Sequence, residues 1–431
     1  MASDCPVVAR ACELGRKEMN EAVIISAVRT PIGRYMGGLK EVQACDLAAL
    51  VLDEVIRRAG IKPDLVADVV FGQSYQNGES VNIARMGLLK AGWPETIPGV
   101  TLDRRCCSGL DTVCFAAMMV QSGQAEVVVA GGVESMSNAE FYLPGEIKWG
   151  IGGKRGMPRG HGDLALWGIP FYDRIQRARV MSQPIERYGI LPAMMSWAET
   201  AAEQENISRE ACDEWSVRSH QKACAAIASQ KFAEEIVPVP VQQADGTTGL
   251  LDRDESPRPD SSLKALSRLK PVLGGVCTAG NSSTENDGAA AVVVISAEKA
   301  RRLGAEPLAR LKSFAVVGDD PRRTYRTVPI AAGKALEKAG LTMDEMDLIE
   351  IQEAFAAQVL ADLKRMGLKP EHYEKVNVNG SGISLGHPIA CTGARVLVTL
   401  LYEMKRRNAH YGLETICGGG GLGIAAVLER K

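Results

Sequence analysis

Short apolar runs of strand length alternate along the chain with stretches whose apolar residues recur at helical spacing. AVIISAVRTP, at 22–31, reads as a buried strand ended by Thr30-Pro31 and Gly33. Asp46–Ala59 sets Leu47, Leu50, Val51 and Val55 on one helical face, with Gly60 just beyond its end. VADVVFG, at 66–72, follows as a second strand. Strand–helix alternation of this kind predicts an α/β fold with a mainly parallel sheet.

Two later stretches look like variations on one unit. Residues 100–136 read as strand, tight turn and a helix over Gly109–Ser122 closed by Gly123, then a strand Glu126–Ala130 stopped by Gly131-Gly132. Residues 375–429 repeat that order: strand, glycine-rich turn, a helix running to Met404, a strand and more glycines. The repetition predicts two similar α/β halves facing each other. Between 140 and 270 the pattern breaks. GIGGKRGMPRGHGD (150–163) and DGTTGLLDRDESPRPDSS (245–262) read as surface excursions, with a helix over Ser208–Ser229 between them. The expected organisation is a tail over 1–20, a first half from 21–140 with 271–300, a loop subdomain over 141–270, and a second half over 301–431.

Composition narrows the function classes. Hydrophobic residues make up 46% of the 431 and charged residues 24%, an ordinary globular balance. Lys+Arg is 50 against Asp+Glu 52, a net charge of −2, which argues against a nucleic-acid partner. No apolar run approaches the roughly 18 residues that cross a bilayer, so no membrane partner is expected. The 11 cysteines include no CxxC pair. That spacing suits neither a disulfide framework nor a zinc cluster, and implies a reducing, cytoplasmic setting with no metal. The first twenty residues lack the continuous apolar stretch of a secretory signal, and Asp4, Glu13 and Glu18 weaken a transit-peptide reading. They read as a loosely ordered tail.

Three residues stand where chemistry would need them. Cys106, in DRRCCSGL, lies where a strand gives way to a helix, whose free N–H groups and dipole stabilise a thiolate. The same place suits a small buried apolar residue, and position alone does not separate the two. His387, in SLGHPIACTGAR, sits on a turn constrained by Gly386 and Pro388, as a base or as a capping histidine. Cys417 ends a strand before four glycines, a run that bares backbone N–H groups for an oxyanion or permits a close chain crossing. Two further segments, IQEAFAAQ (351–358) and TAGNSSTENDGAAAVVV (278–294), read alone as a capping carboxylate, Glu353, and as a loop before a strand.

Together with VRTPIGRYMGGL, these blocks in this order resemble the thiolase family over nearly the whole chain, from Ala22 to Arg430. The resemblance implies duplicated α/β halves, each a mixed sheet with helices on its faces, and an inserted loop subdomain over the active site. It also implies reversible Claisen chemistry on acyl-CoA and coenzyme A, with no resident cofactor, in a homodimer or homotetramer. Cys106 rather than Cys107 aligns with the nucleophile, because Ser108-Gly109 follows at the family's offset. The family roles then give His387 as its activator and Cys417 as the acid–base for the α-carbon. One oxyanion hole falls to His387 with a water held by the residue at Gln352, the other to the N–H groups of Cys106 and Gly419. Contacts to pantetheine map onto Met194, Ala279, Ser283, Ala354 and Phe355.

The chain departs from the family pattern near the acyl and pantetheine pocket. Gln352 replaces the usual asparagine, Ala193–Trp197 replaces a segment that carries glycine and threonine after its methionine, and Thr284-Glu285 stands where glycine and an apolar residue are common. An extra stretch over 162–189 carries Trp167, Phe171, Tyr172 and Tyr188, as a pocket wall or as a surface loop or subunit contact. Two motif cysteines with one motif histidine favour a thiolase over a ketoacyl synthase, which pairs one cysteine with two histidines. A Cys-His hydrolase would need neither Cys417 nor the pantetheine loop, and a catalytically dead relative would have lost one of the three catalytic residues.

Overall fold

The computed structural model describes residues 20–145, 147, 170–191, 194–243 and 245–431. Residues 1–19 of the expected tail, the glycine-rich stretch 150–163, Trp167 and Ala193 lie outside the described residues.

The first half contributes strands β1 (Ala22–Arg29), β2 (Asp68–Gly72), β3 (Gly99–Leu102), β4 (Val127–Ser135) and β5 (Asn286–Ser296), in the spatial order β3-β2-β4-β5-β1. The second half contributes β6 (Ala309–Gly318), β7 (Leu348–Ile351), β8 (Tyr411–Gly418) and β9 (Leu422–Glu429), in the order β7-β8-β9-β6. Val376 bridges to Ile349 in parallel, at the place β3 takes beside β2. The order and polarity of strands thus repeat, as the duplicated motifs predict. The halves join edge to edge through β1 and β6 over two residue pairs, Val23 with Arg310 and Ile24 with Ala309.

The sheet is mixed, not mainly parallel. Only β2–β3, β2–β4 and β7–β8 run parallel, while β5 lies antiparallel to both β1 and β4. β5 comes from residues more than 150 positions beyond β4, so local strand–helix alternation carries no trace of its direction. Nor does β4 stop at Gly131-Gly132. The strand runs through both glycines because a Cβ at Gly131 would overlap the Ala290 carbonyl and one at Gly132 the Ala390 carbonyl.

Helix α1 (Ala44–Ala59) ends at Gly60, whose φ of 67° no β-carbon favours, and buries Leu47, Val51 and Val55 against the outer face of the first half. Helices α2 (Ser108–Gln121) and α7 (Thr392–Arg407) form the central layer, packed against both halves of the sheet. They cross at two glycines. A β-carbon on Gly109 would sit 2.6 Å from the Ala394 nitrogen and 2.7 Å from the Ala390 carbonyl oxygen, and one on Gly393 would meet the Leu110 backbone. Between these helices in sequence come α3 (Met195–Glu205), α4 (Arg209–Ala228), α5 (Thr327–Ala339) and α6 (Ala356–Arg365). The Ser208 hydroxyl caps α4 by accepting from the Ala211 N–H, and α5 and α6 cover the outer face of the second half.

The stretch 245–262 is less exposed than its charge suggests. Asp254 is buried against Arg29, accepting from Nη1 at 2.7 Å and Nη2 at 2.9 Å, while Glu235 accepts from Arg29 Nε at 2.6 Å. One guanidinium balances two carboxylates and ties the inserted segment to the end of β1.

Candidate active site

The loop between β3 and α2 is knotted by short hydrogen bonds. Ser108 Oγ accepts from the Arg104 N–H at 2.7 Å and donates to the Arg105 carbonyl at 2.7 Å. Arg105 is held in the left-handed region at φ 53°. This turn delivers Cys106 to the floor of a cavity of about 370 Å³, just before α2 begins. Cys107 points the other way, fully buried, with its Sγ 3.6 Å from the Ile416 carbonyl.

The α7 end of the site mirrors this. Gly386, at φ 103°, lies so close to the Asn286 side chain that a β-carbon could not fit, and Asn286 Oδ1 accepts from the His387 N–H at 2.9 Å. His387 Nε2 then lies 3.2 Å from Cys106 Sγ, and Nδ1 lies 2.6 Å from Thr392 Oγ1. The Pro388 carbonyl, which can only accept and also takes the Cys391 and Thr392 N–H groups, lies 3.0 Å from Thr392 Oγ1. With the hydroxyl proton donated to that carbonyl, Thr392 Oγ1 accepts from Nδ1–H, and Nε2 keeps its lone pair for the cysteine. Burial, with smaller effects from Arg395 and Arg179, pushes the imidazole down to about 3. Burial pushes the Cys106 thiol up to about 11, against an opposing pull from the Gly419 N–H, the Arg105 charge and its own N–H. At rest the pair is a neutral thiol on a neutral imidazole.

Cys417 closes β8 and lies beneath the cavity floor, in a small void bounded by Met194, Ala354 and Phe355. Burial holds its thiol far above the ordinary range, and charge on Cys106 or Asp362 raises it further. The glycines after it let the chain turn back. Gly420 and Gly421 have φ of 87° and 84°, and Gly419 sends its N–H toward the Cys106 sulfur.

The cavity collects Cys106, His387, Gly419, Met194, Ala279, Ser283, Ala354 and Phe355, while Cys417 and Gln352 are not among its lining residues. The segments 278–283 and 352–356 reach it as a pair: the Ser283 N–H donates to the Ala354 carbonyl at 2.9 Å, and the Ala356 N–H to the Asn281 carbonyl at 2.9 Å. The Gln352 amide is buried over Gly382, with no hydrogen-bonding partner for either atom among the described residues. Glu353 does more than cap. Its carboxylate accepts from Trp215 Nε1, Asn377 Nδ2, Ser219 Oγ and the Ile383 N–H, so it binds α4 to the glycine-rich turn before His387.

The extra stretch forms part of the cavity wall. A short helix, Arg174–Val180, lies over the opening, and Ala178, Arg179 and Ser182 line it. Arg179 forms an ion pair with Glu285, one of the residues that departs from the family pattern. Tyr172 packs on Tyr142 with ring centroids 5.4 Å apart, and Phe171 is exposed.

Several supporting residues escape sequence reasoning. Thr392 stands five residues after His387, a separation without meaning until α7 is seen to start there. Glu134 is buried with its carboxylate accepting from the Ser74, Tyr75 and Ala390 N–H groups, and burial lifts it to about 7. Under the second half, Glu350 and Glu414 are neighbours across β7 and β8, with Arg395 of α7 close to both. Burial raises Glu350 to about 8 despite Arg395, and holds Glu414 well above the ordinary carboxyl range too.

The nucleophile turn, the oriented histidine and the second cysteine, on a duplicated α/β frame, define a cysteine-dependent acyl-transfer site of thiolase type. The chain belongs to the thiolase family: the models "Thiolase, N-terminal domain" and "Thiolase, C-terminal domain" match residues 22–298 and 305–430. It is 42% identical to an acetyl-CoA acetyltransferase of Cupriavidus necator, over 96% of this chain and all of that one. Its fold matches the crystal structure of the Bacillus anthracis acetyl-CoA acetyltransferase with a TM-score of 0.86 and 41% identity, covering 96% and 99% of the two chains. Human mitochondrial 3-ketoacyl-CoA thiolase gives 0.86 with 32% identity, covering 96% and 100%. Among the described residues, no helix is long and apolar enough to cross a membrane.

Proposed function

We propose that this thiolase cleaves 3-ketoacyl-CoA with coenzyme A and runs the reverse Claisen condensation of acyl-CoA with acetyl-CoA. In cleavage, Nε2 of His387 takes the Cys106 proton across 3.2 Å as sulfur attacks the 3-keto carbon. The oxygen that gains charge is met by the N–H groups of Cys106 and Gly419. The C2–C3 bond then breaks, its electron pair passing into the enolate of acetyl-CoA, and Cys417 protonates that carbon. The enolate oxygen is held by Nε2–H of His387 and a water carried by Gln352. Coenzyme A, as thiolate, takes the acyl group from Cys106, and its proton restores Cys417. The pantetheine arm lies along Met194, Ala279, Ser283, Ala354 and Phe355.

The observation that carries this reading is the Thr392–His387–Cys106 relay, whose donors leave Nε2 free to accept. Its low-dielectric setting delays charge separation until a thioester is present to receive the sulfur. We place the enzyme in the cytoplasm, in fatty-acid metabolism and in a homodimer or homotetramer, and assign 21–140 with 271–300 and 301–431 to its two halves. Intact-protein and peptide mass spectrometry after mixing with acetyl-CoA tests the roles. The acetyl group is expected on Cys106 in wild type, Cys107→Ala and Cys417→Ser, with Cys417→Ser failing only in condensation. An adduct on Cys107, or none in Cys417→Ser, refutes the division of labour.

A further inference from the structure

The cavity wall holds two guanidinium groups beside apolar side chains such as Tyr75, Met136 and Ile389. Arg179 has its counter-charge in Glu285. Arg104, on the neighbouring turn, has Asp111 at 3.2 Å. The Arg105 guanidinium forms no ion pair with a carboxylate among the described residues, although the residue is half-buried and borders the cavity next to the nucleophile. Its backbone is fixed: the Asp103 carboxylate accepts its N–H at 2.8 Å, Ser108 binds its carbonyl, and φ is 53°. A side chain other than glycine pays about 1–2 kcal/mol to occupy that region. A long cation held there beside an apolar wall offers a binding point for an anion.

The anion is not the coenzyme's phosphate. The thioester sulfur and the phosphates stand at opposite ends of the pantetheine arm, so a residue adjacent to Cys106 faces the acyl group. Cys106 and Arg105 line the same cavity with Cα atoms about 3.8 Å apart, so a short acyl chain on Cys106 shares that cavity with the guanidinium.

We propose that Arg105 is a specificity-determining residue that selects 3-ketoacyl-CoA esters bearing a carboxylate at the far end of a short acyl chain. This rests on the thiolase reading above. The apolar wall takes the methylenes, and the guanidinium pairs with the terminal carboxylate in a fork of charge-assisted hydrogen bonds. The acyl group left on Cys106 after cleavage is then a dicarboxylic half-thioester.

The test compares kcat/KM for 3-ketohexanoyl-CoA with and without a terminal carboxylate, in wild type, Arg105→Lys and Arg105→Leu. Wild type is expected to favour the carboxylated ester by on the order of tenfold or more. Arg105→Lys is expected to keep part of that ratio, and Arg105→Leu to bring it to one or below. A wild-type ratio near one overturns the proposal. So does an equal loss on both esters in Arg105→Leu, which would instead make Arg105 a stabiliser of the Cys106 thiolate. In both cases cleavage of the neutral ester by wild type leaves the thiolase reading intact, whereas no cleavage of either ester overturns both.

Discussion

Replacing Thr392 with valine removes one oxygen from the site and keeps the branched outline of the side chain. In the proposed relay Thr392 Oγ1 accepts from Nδ1–H of His387 at 2.6 Å and donates to the Pro388 carbonyl at 3.0 Å. Valine can do neither. The buried Nδ1–H then loses a partner worth about 1–3 kcal/mol, and the imidazole escapes that cost by moving its proton to Nε2. That tautomer presents N–H to Cys106 and cannot take the thiol proton. At 1.36 kcal/mol per factor of ten, the competent fraction drops about 5- to 150-fold. Rapid-quench measurement of the first acylation by acetyl-CoA reads this loss directly, apart from the later steps. Thr392→Ser keeps the hydroxyl and is expected to acylate within a few-fold of wild type. The rate of Cys106 alkylation should also begin to rise at higher pH in the valine variant, because its thiol must ionise without a base. Acylation by Thr392→Val within twofold of wild type would falsify the relay. Equal damage in serine and valine variants would assign the effect to the lost methyl group's packing.

Two other outcomes are expected. Gln352→Ala should lower kcat on the order of 10²-fold, as loss of an oxyanion-hole donor does, whereas Gln352→Asn should stay active and change relative kcat/KM among acyl chains; steady-state kinetics with a short and a bulky ester decide, and an alanine variant within a few-fold of wild type on both removes Gln352 from the mechanism. Stability should fall as pH rises from about 4.5 to 8: Glu350 keeps a proton in the folded chain up to about 8, well above its ordinary 4.5, so its contribution is whole below about 4.5 and lost as pH passes 8. Urea midpoints across that range should show a shallower decline in Glu350→Gln, and an unchanged slope would exclude Glu350 as the source.

Local chemistry was the legible part. Helix α1, with its apolar stripe and terminal Gly60, and α4, with its Ser208 cap, stand within two residues of where periodicity and end signals put them. The local setting of the motif blocks was legible for the same reason, since turn glycines, a proline and a helix start are short-range features, whereas the roles of Cys106, His387 and Cys417 came from the family resemblance. What depended on distant partners was not. The antiparallel course of β5 comes from pairing with strands far away in sequence. Gly131 and Gly132 carry the same signal whether they end a strand or admit a crossing backbone, and here they admit one. Asp254 sits in a run of charges that reads as solvated, and Arg29, 225 residues away, with the Ile32 N–H, makes its burial tolerable. Thr392 and Arg105 lay inside motifs already quoted, but their roles depend on what faces them.

The contact of α2 and α7 through Gly109 and Gly393 sets the catalytic distance by main chain against main chain. Side-chain repacking can adjust most helix pairs by fractions of an ångström; here no side chain lies between the two backbones to be repacked. Each half supplies one member of the proposed pair, Cys106 from the start of one helix and His387 from the turn before the other. Neither half alone holds the pair. The candidate site is a property of the seam between the two halves.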